Sequence, residues 1–206
     1  MSVKNIKRVE EKRESIINSA IKVFATKGFE NARISDIASE AGTAYGLVYH
    51  YFDSKEDLLK KIIEEKWTLF LKSIKEIDER ERGFREKITK ITALLLETYR
   101  KFPELMRVLV AEYSRSPRLI KEGMKEPFMK VIKALERIVK KGQMAEEVRK
   151  DISPMVASLM YMGVIDTIFT LAEIEYKGKF TKNLETRAKA IVDIYLNGLC
   201  KKQKEE

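Results

Sequence analysis

Residues 34–55 read ISDIASEAGTAYGLVYHYFDSK. Ile34, Ile37, Ala38 and Ala41 recur at helical spacing, giving one apolar stripe, while Ser35, Asp36, Ser39 and Glu40 fall on the opposite side. Gly42 ends that segment, because a residue without a Cβ can take the positive φ that turns a chain sharply after a helix. A second short helix from about Ala44 to Tyr51 places Val48 inward and Tyr45, Tyr49 and His50 outward. Two short helices at a tight glycine turn, the second with aromatic and imidazole groups facing out, have the pattern of a helix-turn-helix that lays its second helix in a DNA major groove.

The neighbouring sequence extends this unit. Helix one is expected from about Arg8 to Lys27, with Ile16, Ala20, Ile21 and Phe24 inward and Gly28 as its stop. Ser54 and Asp57 form an N-cap box opening a long fourth helix to about Glu79, whose Ile62, Ile63, Trp67, Phe70, Ile74 and Ile77 keep one side apolar. A fifth helix spans Phe84 to Tyr99, and Pro103 and Pro117 mark two further starts. Pro127 is expected to break or kink whatever begins at Arg118, and the helix after it to run to about Lys141 and stop at Gly142. Ser153-Pro154 opens a segment to about Glu173, apolar on most sides, and Asn183 to Leu199 forms the last helix. With Asp166 and several hydroxyl residues inside it, the former falls short of a membrane span and needs protein on most sides. No strand pattern survives, so the fold class is all-α with about nine helices.

The stretch from about Arg8 to Leu59 resembles the N-terminal domain of the TetR (tetracycline-repressor-like) family of bacterial transcription regulators. The residues that carry the likeness are Ile16, Ile17, Ala20, Phe24, Gly28 and Phe29, then Ile37-Ala38, Ala41-Gly42, Gly46, Tyr49, Tyr51-Phe52 and Lys55-Glu56. The resemblance implies a DNA-binding domain over residues 1–53 and a helical ligand-binding and dimerisation domain over 54–206. It assigns Arg33, Thr43, Ala44, Tyr45, Gly46, Tyr49, His50 and Lys55 to DNA, and Tyr51 and Phe52 largely to packing. It also implies a homodimer through the last two helices, with a near-palindromic operator read by two helices about 34 Å apart. The chain departs from the family pattern at the helix caps, with Arg33 and Ala44 in place of the usual hydroxyl residues; Thr43 is the available substitute cap.

Composition narrows the rest. At 206 residues with 44% hydrophobic and 35% charged residues the chain has the balance of a globular protein. The start Met1-Ser2-Val3-Lys4 has no apolar run of a signal peptide, which places the protein in the cytoplasm. The single Cys200 and single His50 exclude a disulfide framework, a zinc finger and a multi-histidine metal site, so no cofactor or metal is expected. No nucleophile has a base to activate it and no Gly-rich phosphate loop is present, so an enzyme is not expected. His50 can be read as a pH switch or as a groove-facing donor; the second is preferred.

The net charge of +9 sits mostly outside the DNA-reading part, since residues 1–60 hold ten Lys/Arg against nine Asp/Glu. Phosphate contact is therefore assigned by placement, to Lys4, Lys7, Arg8, Lys12, Arg13, Arg33 and Lys55. From Tyr113 to Lys141 nine bases face three Glu. Trp67, Phe70, Leu95, Tyr99, Met106, Leu109, Tyr113, Phe128, Ile132, Met160, Ile165 and Phe169 are candidates to line a cavity between helices, with ordinary core as the competing reading. An apolar pocket beside basic residues suits a small-molecule effector with an apolar tail and an anionic head, such as fatty acyl-CoA, and the order of segments resembles the fatty-acid-responsive branch of the family. The expected function is a ligand-responsive repressor; the alternative is a cytosolic lipid or acyl-CoA-binding helical module without DNA binding.

Overall fold

The computed structural model describes residues 3–115, 125–176 and 181–200, with side chains omitted at 3–4, 110–115, 125 and 176. Nine helices account for these residues: α1 Val3–Lys27, α2 Ile34–Glu40, α3 Tyr45–Tyr51, α4 Lys55–Arg80, α5 Phe84–Lys101, α6 Pro103–Arg115, α7 Lys125–Met144, α8 Pro154–Tyr176 and α9 Lys182–Leu199. Among the described residues there is no strand, only an isolated bridge of Val148 to Cys200 that ties the α7–α8 connection to the end of α9.

Two apolar cores result. The first joins Ile16, Ala20 and Phe24 of α1, Ile37 of α2 and Val48 of α3 to Leu58, Leu59, Ile62 and Ile63 of α4, with Val108 of α6 closing it. It thus reaches past residue 53 into α4. The second gathers Ile74 of α4 with the inner faces of α5, α7, α8 and α9. Trp67 packs against both, because α4, at 26 residues, runs from one core into the other.

Local chemistry explains two of the helix starts. The Ser54 hydroxyl accepts from the Asp57 amide at 3.0 Å and starts α4. The Thr181 hydroxyl does the same for Leu184 at 3.1 Å in α9. Pro127 sits in the first described turn of α7, and the segment from Arg118 that it is expected to break or kink lies outside the described residues. The expectations placed on Pro117 and Arg118 lie outside the described residues.

Gly142 requires a correction. It does not end α7, which continues to Met144; the positive φ there belongs to Glu146. A Cβ on Gly142 would lie 2.8 Å from Val148 Cγ2 and 3.1 Å from Phe84 Cβ, so this glycine lets α5 and the α7–α8 turn approach the helix.

Beside it lies an ion triad in which Asp78 and Lys87 are buried and Lys141 is exposed. Asp78 of α4 takes Lys87 of α5 at 2.7 Å and Lys141 of α7 at 2.6 Å. Burial pushes the Asp78 carboxyl up, but the two ammonium groups outweigh this and hold it below its ordinary value. The far end of α4 is therefore clamped to two helices of the second core.

α8 extends beyond the expected segment and, over Pro154–Glu175, is long and apolar enough to cross a membrane by length and composition, with 39% of its most apolar stretch buried. Its exposed residues are not spread around it. Val156, Met160, Gly163, Thr167 and Ile174 form one stripe at helical spacing, and Ala190, Ile194 and Gly198 form another on α9.

Candidate DNA-reading surface and ligand cavity

The helix-turn-helix is held from behind by its core and by two left-handed glycines. Gly28 at φ 73° ends α1 and Gly42 at φ 59° turns α2 into α3, positions where a Cβ would be strained. Arg33 caps α2 through its backbone: its N–H donates to Asp36 Oδ2 at 3.0 Å, and Asp36 also pairs with Lys27 at 2.9 Å. These contacts, Lys27 first and then the Arg33 amide, lower the Asp36 carboxyl. Thr43 does not supply the missing cap of α3. Ala44 is the N-cap residue and no side chain accepts there; in the first turn of α3 the Leu47 amide donates to the Ala44 carbonyl at 2.9 Å.

The residues expected to meet DNA lie on one exposed side. Arg33, Ala44, Tyr45, Gly46, Tyr49 and His50 are exposed and Thr43 is half-buried. Tyr45 and Tyr49, one turn apart, keep 54% and 44% of their surface open. Their rings meet edge-to-face with centroids 5.2 Å apart and their hydroxyls lie 3.3 Å apart. Phe52 is buried and Tyr51 half-buried, which makes them packing residues.

Two cations have structural partners instead. The Lys55 ammonium donates to the carbonyls of Phe29 at 2.7 Å, Ala32 at 3.0 Å and Glu30 at 3.2 Å, and lies 4.4 Å from the Phe29 ring centre. It has three protons to donate and all three are engaged, so in this structure it ties the α1–α2 turn to the start of α4 and does not extend toward a phosphate. Arg13 pairs with Glu65 of α4 and lies 5.7 Å from the centre of the Phe52 ring, which removes it from the phosphate set as well.

Between α4, α5, α6, α7 and α8 lies an apolar cavity of about 700 Å³. That is within the usual range for a small-molecule site, about 300–1,000 Å³. Of the residues named from the sequence, Trp67, Phe70, Leu95, Met106, Leu109, Phe128, Ile165 and Phe169 line it. Trp67 meets Phe70 and Phe128 edge-to-face, each with centroids 6.0 Å apart.

Three expected residues are elsewhere and one is not described. Tyr99 is wholly buried in the second core, Ile132 is wholly buried away from the cavity wall, and Met160 is 52% exposed on the outer stripe of α8. The Tyr113 side chain lies outside the described residues, as do four of the nine bases counted between 113 and 141. In place of Met160 the wall has Leu159, Met162 and Gly163, and it also takes in Leu69, Leu94, Phe102 and Leu105. Its polar members are Lys66, Ser73, Thr98 and Asp166.

One network joins the cavity wall to the DNA-reading unit. Tyr99 stacks on Phe169 of the wall with centroids 5.3 Å apart and planes within 9°. Its hydroxyl donates to Glu173 at 2.9 Å, and burial followed by that carboxylate pushes the phenol up. Glu173 receives Arg107 Nε at 3.0 Å, and Arg107 Nη1 lies 3.5 Å from the Ala25 carbonyl near the end of α1. On the same helix, Leu105 and Leu109 face both the cavity and the first core.

Among the described residues no group of three or more His, Cys, Asp or Glu is placed to hold a metal ion. The Cys200 thiol is pushed up, chiefly by burial, which is the wrong direction for a nucleophile.

Comparison with known proteins agrees with this geometry. Residues 16–62 match the family model described as bacterial regulatory proteins, tetR family. The chain is 26% identical over 165 residues, covering 80% of its length and 85% of the relative, to the fatty acid metabolism regulator protein of Bacillus subtilis (strain 168). Its fold is similar to that of the fatty acid degradation regulator FadR from Bacillus halodurans, with a TM-score of 0.83, 24% identity and coverage of 91% of this chain and 95% of that one. It is also similar to the FadR transcriptional regulator from Bacillus subtilis in complex with stearoyl-CoA, with a TM-score of 0.77, 23% identity and coverage of 90% and 98%. Residues 16–62 thus carry the domain of the tetR family of bacterial regulatory proteins, and over most of its length the chain is similar to bacterial regulators that contain it.

Proposed function

We propose that this regulator is a homodimeric repressor released from a near-palindromic operator by a long-chain fatty acyl-CoA. The observation that carries the reading is the apolar cavity of about 700 Å³ whose wall includes Lys66, Trp67 and Phe70 of α4, the helix that begins inside the DNA-reading core. An acyl chain suits the apolar wall, and the structural relative crystallised with stearoyl-CoA supports the choice. The function places the protein in the cytoplasm, with the DNA it reads.

The stripes on α8 and α9 form the dimer interface. Gly163, Thr167, Ala190 and Gly198 are small enough for helices to approach closely, and Val156, Met160, Ile174 and Ile194 supply the apolar area. Residues 1–53 read DNA and 54–206 bind effector and partner, with α4 belonging to both. In the groove the DNA-contacting set is Arg33, Thr43, Ala44, Tyr45, Gly46, Tyr49 and His50.

An effector acts only through tighter binding to the state that does not fit the operator. With its far end clamped at Asp78, α4 swings at its DNA-proximal end when the cavity fills. The Phe169–Tyr99–Glu173–Arg107 network delivers the same change to α1.

A gel-shift with the chain's own upstream region tests the reading. The wild type is expected to retard it, Tyr49→Ala to weaken the complex, and stearoyl-CoA to release it. Failure of the wild type to bind any near-palindrome at low salt would refute it.

A further inference from the structure

The outward side of α3 carries an unusual set of groups for a helix that reads bases. Its sequence, YGLVYHY, contains no Arg, Lys, Asn, Gln, Asp or Glu. Those are the side chains that read a base by paired or directed hydrogen bonds: Arg and Lys on guanine O6 and N7, Asn and Gln on adenine, Asp and Glu on cytosine. What α3 offers in their place is the His50 imidazole and, on Tyr45 and Tyr49, two exposed rings that are mostly aromatic carbon. The base-edge feature that aromatic carbon recognises is the C5-methyl group of thymine.

Tyr45 is the ring best placed for this. It opens α3, on the turn that reaches base edges in helix-turn-helix proteins, and it is 54% exposed. Gly46 follows it, and a Cβ there would meet nothing within 4 Å, so the backbone beside the ring is open. The ring is also held. Tyr49 meets it edge-to-face at 5.2 Å and the two hydroxyls are 3.3 Å apart. An exposed tyrosine fixed in one orientation loses less side-chain freedom on binding than a free one.

We infer that Tyr45 is the specificity-determining residue of this regulator, reading a thymine methyl in each operator half-site with its ring, and that Tyr49 acts on specificity by positioning Tyr45. The inference rests on the DNA-binding function and adds to it the chemical class of base that α3 selects. Burying one methyl group contributes about fourfold in affinity, and the two half-sites of a dimer together about fifteenfold.

The experiment begins by selecting duplexes from a randomised near-palindromic library with the wild-type protein. Failure to enrich any duplex at low salt would count against DNA reading itself, and so is separate from the outcomes below. In the selected duplex each symmetry-related pair of thymines is replaced in turn by deoxyuridine, which removes only the methyl groups, and each such pair of guanines by 7-deazaguanine, which removes the N7 acceptors. The expected result is one symmetric thymine pair whose replacement lowers affinity about fifteenfold, lost in Tyr45→Ala and kept in Tyr45→Phe. Guanine replacements should change wild-type and Tyr45→Ala affinities in parallel. Tyr45 is exposed, and matching melting curves establish that both variants fold. A flat deoxyuridine scan, a methyl dependence that survives Tyr45→Ala, or a guanine dependence abolished by it would overturn the inference.

Discussion

The DNA-reading unit and the cavity-bearing unit are both stacks of apolar helices, yet they dispose of apolar surface differently. In the first, nearly every large apolar side chain from Ile16 to Ile63 is buried in one core, and the conspicuous exceptions, Tyr45 and Tyr49, stand together on α3. In the second, the core is incomplete in two places. It leaves a cavity of about 700 Å³ inside and exposed apolar stripes on α8 and α9 outside. A rigid reader needs a filled core to fix the angle of its helix. A unit that answers to a ligand and pairs with a copy needs surface that it does not satisfy by itself.

The sharpest way to break this contrast is at the outer stripes. Met160→Asp with Ile194→Asp should convert the dimer to monomers in sedimentation and weaken operator binding by about 10²–10⁴-fold, because the second half-site no longer binds as part of one molecule. Retained dimers would mean that the stripes have another use.

The clamp comes next. Asp78→Asn leaves Lys87, whose side chain is 8% exposed, without its anion, and should cost about 3–5 kcal/mol in chemical denaturation. The sign with pH follows from the depressed folded value of Asp78: its contribution is present above the ordinary carboxylate range and lost as pH falls through the folded value. The wild type should therefore lose stability below about pH 4 more steeply than Asp78→Asn does.

Gly142→Ala probes the same joint by bulk. A Cβ 2.8 Å from Val148 Cγ2 should cost about 1–3 kcal/mol, read as a lower melting temperature. An unchanged value would show that α5 and α7 can part without loss. The smallest effect is expected from Arg107→Ala, which should reduce the coupling between effector and operator by about 0.5–2 kcal/mol while leaving effector affinity near wild type. Parallel titrations of effector and operator measure both.

The two units also differ in how far their sequences could be read. The helix-turn-helix is written in short-range signals: the apolar spacing of Ile34, Ile37 and Ala38, the turn at Gly42, the box at Ser54. The partners of Lys55 are not legible in the sequence, because they are carbonyls 23 to 26 residues earlier, brought back only by the fold. In the second unit the helices were legible and their rotation was not. α8 is apolar on nearly every side, so nothing in its pattern distinguishes Met160, which faces out, from Met162, which lines the cavity. Likewise Ile132 is wholly buried core and Leu94 is cavity wall, a distinction set by which neighbours leave a gap. Gly142 looked like a helix stop because the signal for a stop and the need for close approach call for the same residue.

Trp67 lines the cavity and packs against both cores, which makes it the reporter for the central claim. Stearoyl-CoA would be titrated into the protein–operator complex while Trp67 fluorescence and the anisotropy of labelled duplex are followed together. The account predicts that both change over the same concentration range and that operator affinity falls at least tenfold at saturation. A change in Trp67 fluorescence with operator affinity unaltered would contradict it, because the cavity would then bind the ligand without governing the DNA-reading unit.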